Sequence, residues 1–397
     1  MRRITAFLMM IAITISLTAC GSGSPYNAPA MVPAEGENSS SVGAPAVSTP
    51  EPVEESEPDI IEPQLEPTAE PNAVEGLIAM SVTTGKEYKY NNAFCRETTI
   101  ILTSIDMETG ATHDVRTFTN TNTRDFTIDF DFAFDPVNSL QRFDEGFDRM
   151  VACRRMPDGS DHVGFVDSNG VFTDVSALVT VPAGDFGGLI KHTYPRFGPD
   201  GYFYYRDQSN GGSPLYRINT NNAMTPDALE LHSEKVSVDY YFIQPDGSVI
   251  DGFNVLYYSP SMTHRAPEYI SAWVDDTTFV GGGYKSDLIY KYTALTDEEW
   301  KNKGGAPVHA YADRTALVPD INNRANSHAL VSPDKKTVAF LSRLTSGSDR
   351  TPYLFTVPLD GGEPVKTDVS YVFNYPVNVS DGSYSYRGLL AWMPSGT

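Results

Sequence analysis

The side chains able to do chemistry are few and scattered. Acids alternate with aromatics through Asp125-Phe126-Thr127-Ile128-Asp129-Phe130-Asp131-Phe132-Ala133-Phe134-Asp135, and in a strand that alternation sets Asp129 and Asp131 on one face. Calcium would need several oxygens converging there, and the Asp-x-Asp-x-Asp-Gly loop that supplies them is missing. His192 and His328 each stand a few residues before a turn. With no third partner they read as hydrogen-bonded structural residues rather than metal ligands. No Gly-x-Ser-x-Gly elbow is present, which speaks against a serine nucleophile mounted on an α/β sheet. Tyr240-Tyr241 and Tyr257-Tyr258 could form a sugar or peptide platform, but strand neighbours face opposite ways, so one of each pair is expected in the core. Cys95 and Cys153 could pair in an exported protein or stay as two buried free thiols, because nothing in the sequence sets their Cβ atoms within bridging distance. No catalytic residue, metal or cofactor is assigned on these grounds.

The elements that carry these residues follow from the order of the chain. Arg2 and Arg3, an apolar run from Ile4 to Leu17 and the exit Leu17-Thr18-Ala19-Cys20 have the parts of a secretory signal. The run falls short of the ~20 apolar residues that a membrane-spanning helix needs. Leu-Thr-Ala-Cys resembles the lipobox of bacterial lipoproteins, which implies cleavage after residue 19 and a diacylglyceryl group on the Cys20 thiol. The expected address is the cell membrane or outer membrane, on its extracytoplasmic side. From residue 20 to 75 Pro, Ser, Ala and Glu dominate, Lys and Arg are absent, and eleven acids accumulate. Such a stretch cannot bury enough apolar surface to order itself and reads as a tether. The chain as a whole carries a formal charge of −22, and its body from 76 to 397 has no basic cluster. Nucleic acid is therefore not an expected partner.

The body lacks helical periodicity except at Thr296-Asp297-Glu298-Glu299-Trp300-Lys301, where Thr296 and Glu299 have capping-box spacing. The rest is short β-rich runs divided by Pro-Asp and Asp-Gly turns, an all-β pattern. Self-comparison finds a repeating unit of strand, turn, strand, polar loop, strand and turn. Its clearest copy is His328-Ala329-Leu330-Val331-Ser332-Pro333-Asp334-Lys335-Lys336-Thr337-Val338-Ala339-Phe340, continued by Tyr353-Leu354-Phe355-Thr356-Val357 and Asp360-Gly361-Gly362. Further copies of the first turn stand at Gly198-Pro199-Asp200-Gly201 and Gln244-Pro245-Asp246-Gly247, and weaker ones at Asp135-Pro136, Asp275-Asp276 and Ser380-Asp381-Gly382. Asp200 to Asp246 is 46 residues and Asp334 to Asp381 is 47, the length of a four-stranded propeller blade. Six first turns predict a β-propeller of six blades, and body length divided by the unit allows seven. Tyr386-Arg387-Gly388-Leu389-Leu390-Ala391-Trp392 reads as a second strand without outer strands, and Thr99–Asp106 as an outer strand without inner ones. Strands from both ends of the chain would then close the ring and hide its open edges.

The Ser332-Pro333-Asp334-Lys335-Lys336 blade resembles the repeat of TolB-type, WD-repeat-like bacterial propellers, with Lys335 where Gly is usual. The α/β domain that precedes the propeller in TolB has no counterpart here, since that stretch is tether. Sialidase-type propellers carry Ser-x-Asp-x-Gly-x-Thr-Trp, from which Ser332-Pro333-Asp334-Lys335 departs. These observations favour a tethered, non-catalytic binding module for a protein or glycan partner, attached to the membrane through its lipid. A carbohydrate- or cell-wall-active enzyme and a structural part of an envelope assembly are the alternatives.

Overall fold

The computed structural model describes residues 74–124, 139–178, 188–209, 214–220, 229–232, 241–251, 257–267, 270–283, 286–305, 311–318, 323–378 and 383–394. Cys20 with its apolar run, the tether as far as residue 73, Asp129 and Asp131, Tyr240, and the turns at Asp135-Pro136 and Ser380-Asp381-Gly382 lie outside the described residues.

The first sheet is built around β1 (Gly76–Thr84), followed by the short β2 (Tyr88–Tyr90), β3 (Ala93–Ile105) and β4 (Thr112–Thr123). The second holds β5 (Arg149–Arg155), β6 (Asp161–Asp167) and β7 (Phe172–Asp174), and meets the first at the single residue pair Thr123–Arg154. The third is the meander β8 (His192–Phe197), β9 (Tyr202–Asp207), β10 (Leu215–Asn219) and β11 (Leu229–His232). The fourth is the hairpin β12 (Tyr241–Ile243) and β13 (Val249–Asp251). In the fifth, β14 (Tyr257–Tyr258), β15 (His264–Ala266), β16 (Ile270–Trp273), β17 (Thr278–Gly283) and β19 (Tyr311–Ala316) assemble around β18 (Ser286–Thr296). Helix α1 (Asp297–Asn302) follows β18, opened by the expected box: Thr296 Oγ1 accepts from Glu299 N at 3.3 Å and Glu299 Oε2 from Thr296 N at 2.9 Å. The sixth is β20 (Arg324–Val331), β21 (Thr337–Leu344), β22 (Tyr353–Pro358) and β23 (Val365–Lys366). Finally β24 (Asn374–Asn378) and β25 (Tyr384–Met393) return to the first sheet.

Side-chain alternation shows how the sheets are stacked. In β21, Val338 and Phe340 face the fifth sheet and share a core with Val280 and Ile289; Ala339 and Leu341 face the first and share one with Leu77 and Leu389. In β1, Leu77 and Ala79 turn to the sixth sheet, whereas Ile78, Met80 and Val82 turn to Phe143, Met150 and Val166 of the second. Each sheet is thus buried on both faces, and this is why β1 and β21 read as unbroken apolar runs. The remaining cores continue the series: Cys153 and Phe165 with Phe203, Tyr204 with Tyr241, and Phe242 with Ile270 and Phe279. Among the described residues six cores join six consecutive sheets, and the last returns to the first. The architecture is a six-bladed β-propeller.

The ring closes through both ends of the described chain. β1 is inserted between β25 and β3, with Val82 opposite Tyr386 and Leu77 opposite Trp392. The expected strands are all present, but Thr99–Asp106 does not pair with Tyr386–Trp392 directly, because β1 lies between them. The first blade accordingly has five main strands in the order β24-β25-β1-β3-β4.

Candidate functional site

The turns between the first two strands of successive blades share one hydrogen-bond pattern, and their residue choices explain themselves locally. In the sixth blade Ser332 N donates to Thr337 O and Lys335 N to Ser332 O, both at 2.8 Å, while Ser332 Oγ donates to Asp334 Oδ1 at 2.6 Å. Lys335 stands at φ 59°, the left-handed region that Gly would occupy without penalty. In the fifth blade Ser259-Pro260-Ser261-Met262 repeats the arrangement: Ser259 N donates to His264 O at 2.9 Å, Met262 N to Ser259 O at 2.8 Å, and Met262 has φ 61°. This fourth strong copy of the turn went unread in the sequence because neither Asp nor Gly marks it. In the third blade the first turn position must be Gly198. A Cβ there would lie 2.3 Å from Asp200 Oδ1 and 2.7 Å from the Tyr204 ring, whose hydroxyl donates to Asp200 Oδ2 at 2.6 Å. In the fourth blade Gln244 takes the position, and its Oε1 accepts from Tyr258 N at 3.1 Å, tying the turn to the next sheet.

The turns at Gly198, Gln244 and Ser259, with the segment around Asp144 in the second blade, contribute to the lining of a cavity of about 750 Å³. Its walls are the rings of Phe143, Phe147, Phe197, Phe242, Tyr257, Tyr258 and Trp273, with Gln244, Asp144, Glu145 and Arg149 as polar members. Gln141 fixes its base. The Gln141 carbonyl accepts from Phe197 N at 2.7 Å, and the Gln141 amide exchanges two hydrogen bonds with the Ile243 backbone, Nε2 to O at 2.6 Å and N to Oε1 at 3.2 Å. Gln141 thereby ties β8 of the third blade to β12 of the fourth. The rings hold one another: Phe242 and Tyr257 meet edge to face at 4.8 Å, and Trp273 meets Phe279 edge to face at 5.5 Å. Asp144 is engaged by Arg149 Nε at 2.6 Å and by two backbone N–H groups, so it braces the wall. Gln244 is only 3 % exposed, and its Nε2 has no hydrogen-bond partner. An amide nitrogen closed off from water in this way is a donor in want of an acceptor.

His192 and His328 are each held by side-chain hydrogen bonds. His328 Nε2 pairs with the Tyr386 hydroxyl at 2.8 Å and its Nδ1 with Ser327 Oγ at 2.8 Å. His192 Nδ1 lies 2.8 Å from Ser176 Oγ, and its Nε2 lies 3.7 Å from Asp207 Oδ1. The residue types match a hydrolytic triad, but Ser176 and His192 are wholly buried and Ser176 Oγ already accepts from Val163 N at 2.8 Å. No substrate can reach that hydroxyl. Burial drives the His192 pKa down to about 4 against the opposing pull of Asp207. Tyr241 and Tyr257 are core residues and Tyr258 is half-buried, although Tyr257 also shows an edge to the cavity. Cys95 and Cys153 are both buried free thiols, Cys153 Sγ donating to His192 O at 3.6 Å, and burial raises both pKa values. Among the described residues no group of three or more His, Cys, Asp or Glu is placed to hold a metal ion, and no helix is long and apolar enough to cross a membrane.

No protein-family model and no curated protein matches the chain. Solved structures show a faint likeness. A protein assigned as TolB from Agrobacterium tumefaciens is 10 % identical over 79 % of this chain and 99 % of its own, with a TM-score of 0.25. An oligogalacturonate lyase from Vibrio parahaemolyticus is 9 % identical over 78 % of this chain and 77 % of its own, with a TM-score of 0.33. A protein from Lactobacillus plantarum is 13 % identical over 80 % of this chain and 98 % of its own, with a TM-score of 0.31. The six-bladed ring rests on the chain's own sheets and cores rather than on these likenesses.

Proposed function

We propose that the propeller is a non-catalytic binding module for a glycan, held on the outer side of a membrane by a lipid on Cys20 and the tether of residues 20–75. One observation carries the binding reading: the cavity walled by aromatic rings, with Asp144, Glu145 and Arg149 as polar members. Sugar rings present C–H faces that pack on aromatic side chains, and seven aromatic rings line the cavity. Its volume lies within the range of ~300–1,000 Å³ common to small-ligand sites. Asp144, a carboxylate at the cavity, is held by Arg149, which suits a wall and not a proton shuttle.

The test is calorimetric titration of the purified chain with soluble peptidoglycan fragments and with manno-, xylo- and cello-oligosaccharides. Trp273→Ala and Gln244→Ala should each weaken binding at least about tenfold while leaving the unfolding midpoint within a few degrees of the parent. If none of these glycans binds, or if both variants bind as the parent does, the glycan reading fails. For the anchor, Cys20→Ala should release the protein from the membrane fraction and abolish incorporation of labelled palmitate. Unchanged retention with normal cleavage would refute it.

A further inference from the structure

The charges around the aromatic cavity are unevenly compensated. Arg149 is the basic residue among the described lining, and it is engaged within the wall: Nε donates to Asp144 Oδ2 at 2.6 Å, and the guanidinium lies 5.0 Å from the centre of the Phe165 ring and 5.3 Å from that of Phe197. Arg265 lies 4.7 Å from the centre of the Tyr258 ring, is ion-paired with Asp297 and does not line the cavity. The Arg196 guanidinium lies 6.0 Å from the centre of the Phe242 ring and is buried, as are Arg142 and Arg206. None of these three lines the cavity, so a ligand meets rings there rather than N–H groups.

Two carboxylates beside the cavity have no cation of their own among the described residues. Glu145 is an exposed member of the lining and makes no ion pair or hydrogen bond with them. Asp246 is exposed in the turn whose Gln244 and Pro245 line the cavity, and its Oδ1 accepts from Ser248 N at 2.9 Å. Its field is felt at the wall: burial raises the Tyr258 pKa most, and Asp246 is among the charges that raise it further. An aromatic face carries the negative end of its quadrupole and draws a cation. Seven rings with an uncompensated carboxylate therefore complement positive charge, whereas a neutral sugar would stack on the rings and leave Glu145 to water.

We infer that the ligand of the aromatic cavity is cationic: a glycan carrying a protonated amine, such as a de-N-acetylated amino sugar. The inference rests on the glycan reading of the same cavity and narrows it. The sugar ring stacks on the aromatic wall, its ammonium group pairs with Glu145, and Asp246 adds negative field. The formal charge of −22 acts in the same direction, drawing cationic ligands to the chain and repelling anionic ones.

The experiment is calorimetric titration of the purified full chain at about pH 6, where amines are protonated and carboxylates ionised. The probes are tetramers of glucosamine, N-acetylglucosamine and glucose in the same linkage, which differ only in an ammonium, acetamide or hydroxyl group on the second carbon. The glucosamine tetramer should bind at least about fivefold more tightly than the other two, and the preference should shrink as sodium chloride screens the pairing. Glu145→Gln should reduce that preference about twofold to fivefold. Because Glu145 is exposed, the variant should keep the parent's unfolding midpoint to within about 1 °C. Equal or weaker affinity for the glucosamine tetramer, or a preference unchanged in Glu145→Gln, would overturn the inference and leave the glycan reading in place. If none of the tetramers binds, the inference falls, and if peptidoglycan fragments also fail to bind, the glycan reading falls with it.

Discussion

Closure of the ring by both ends of the chain makes a quantitative demand on Val82 and Tyr386. Val82 in β1 is fully buried, Tyr386 in β25 is 1 % exposed, and the register sets them directly opposite one another in the core between the first and second blades. Val82→Ala removes two buried methyl groups, at ~0.8 kcal/mol each for transfer and somewhat more for the gap left behind, so about 2 kcal/mol. Tyr386→Leu keeps an apolar side chain but deletes the hydroxyl that meets His328 Nε2 at 2.8 Å. That buried partner then lacks its bond, and the cost is about 2–3 kcal/mol. Because the two side chains share one packing site, the double variant should fall short of the sum by roughly 1 kcal/mol, since the second truncation relaxes into space opened by the first. Urea unfolding of the four proteins, followed by tryptophan fluorescence and far-ultraviolet circular dichroism, measures the cycle. If the effects add to within about 0.3–0.5 kcal/mol, the two strands are not neighbours, and the argument for closure is wrong.

Three further outcomes follow from single positions. Lys335→Gly relieves the left-handed backbone at φ 59° and should stabilise the chain by about 0.5–1 kcal/mol, read as a rise of about 1 °C in unfolding midpoint; a fall would contradict the turn geometry. Gly198→Ala drives a methyl into Asp200 and the Tyr204 ring and should cost about 1–3 kcal/mol, with loss of binding at the adjoining cavity; an unchanged urea midpoint would show that the turn has room to spare. His192 is held neutral, with its pKa lowered from 6.5 to about 4, so the unfolded chain takes up more protons in that window. Stability is fully present above about pH 6.5 and is lost as pH falls towards 4, with a slope reaching ~1.4 kcal/mol per pH unit. His192→Gln should flatten that limb of the pH–stability curve by this amount, and an unaltered limb would assign the acid sensitivity elsewhere.

The legibility of this fold varied with how each feature is encoded. A turn that needs a fixed φ, a capping oxygen and a positive-φ position writes itself into consecutive residues, so Ser332-Pro333-Asp334 and Gln244-Pro245-Asp246-Gly247 could be read, as could the capping box at Thr296 and Glu299. Where side chains substitute for those residue types the signal vanishes. Met262 adopts φ 61° without being Gly, and Ser261 stands where Asp is expected, so the turn at Ser259 carried only its Ser-Pro pair as a trace. β1 was unread for a different reason. Packed between two blades, it is buried on both faces and has no polar alternation to mark it as a strand. The aromatic cavity was the least legible, because its members come from separate blades and share no spacing along the chain. Phe143, Phe197, Phe242 and Trp273 come from four successive blades, and the ring alone makes them neighbours. Arg196 shows the same limit most sharply: one extra residue in β8 decides whether its charge faces the cavity or Tyr241, and a bulge of that kind has no composition of its own.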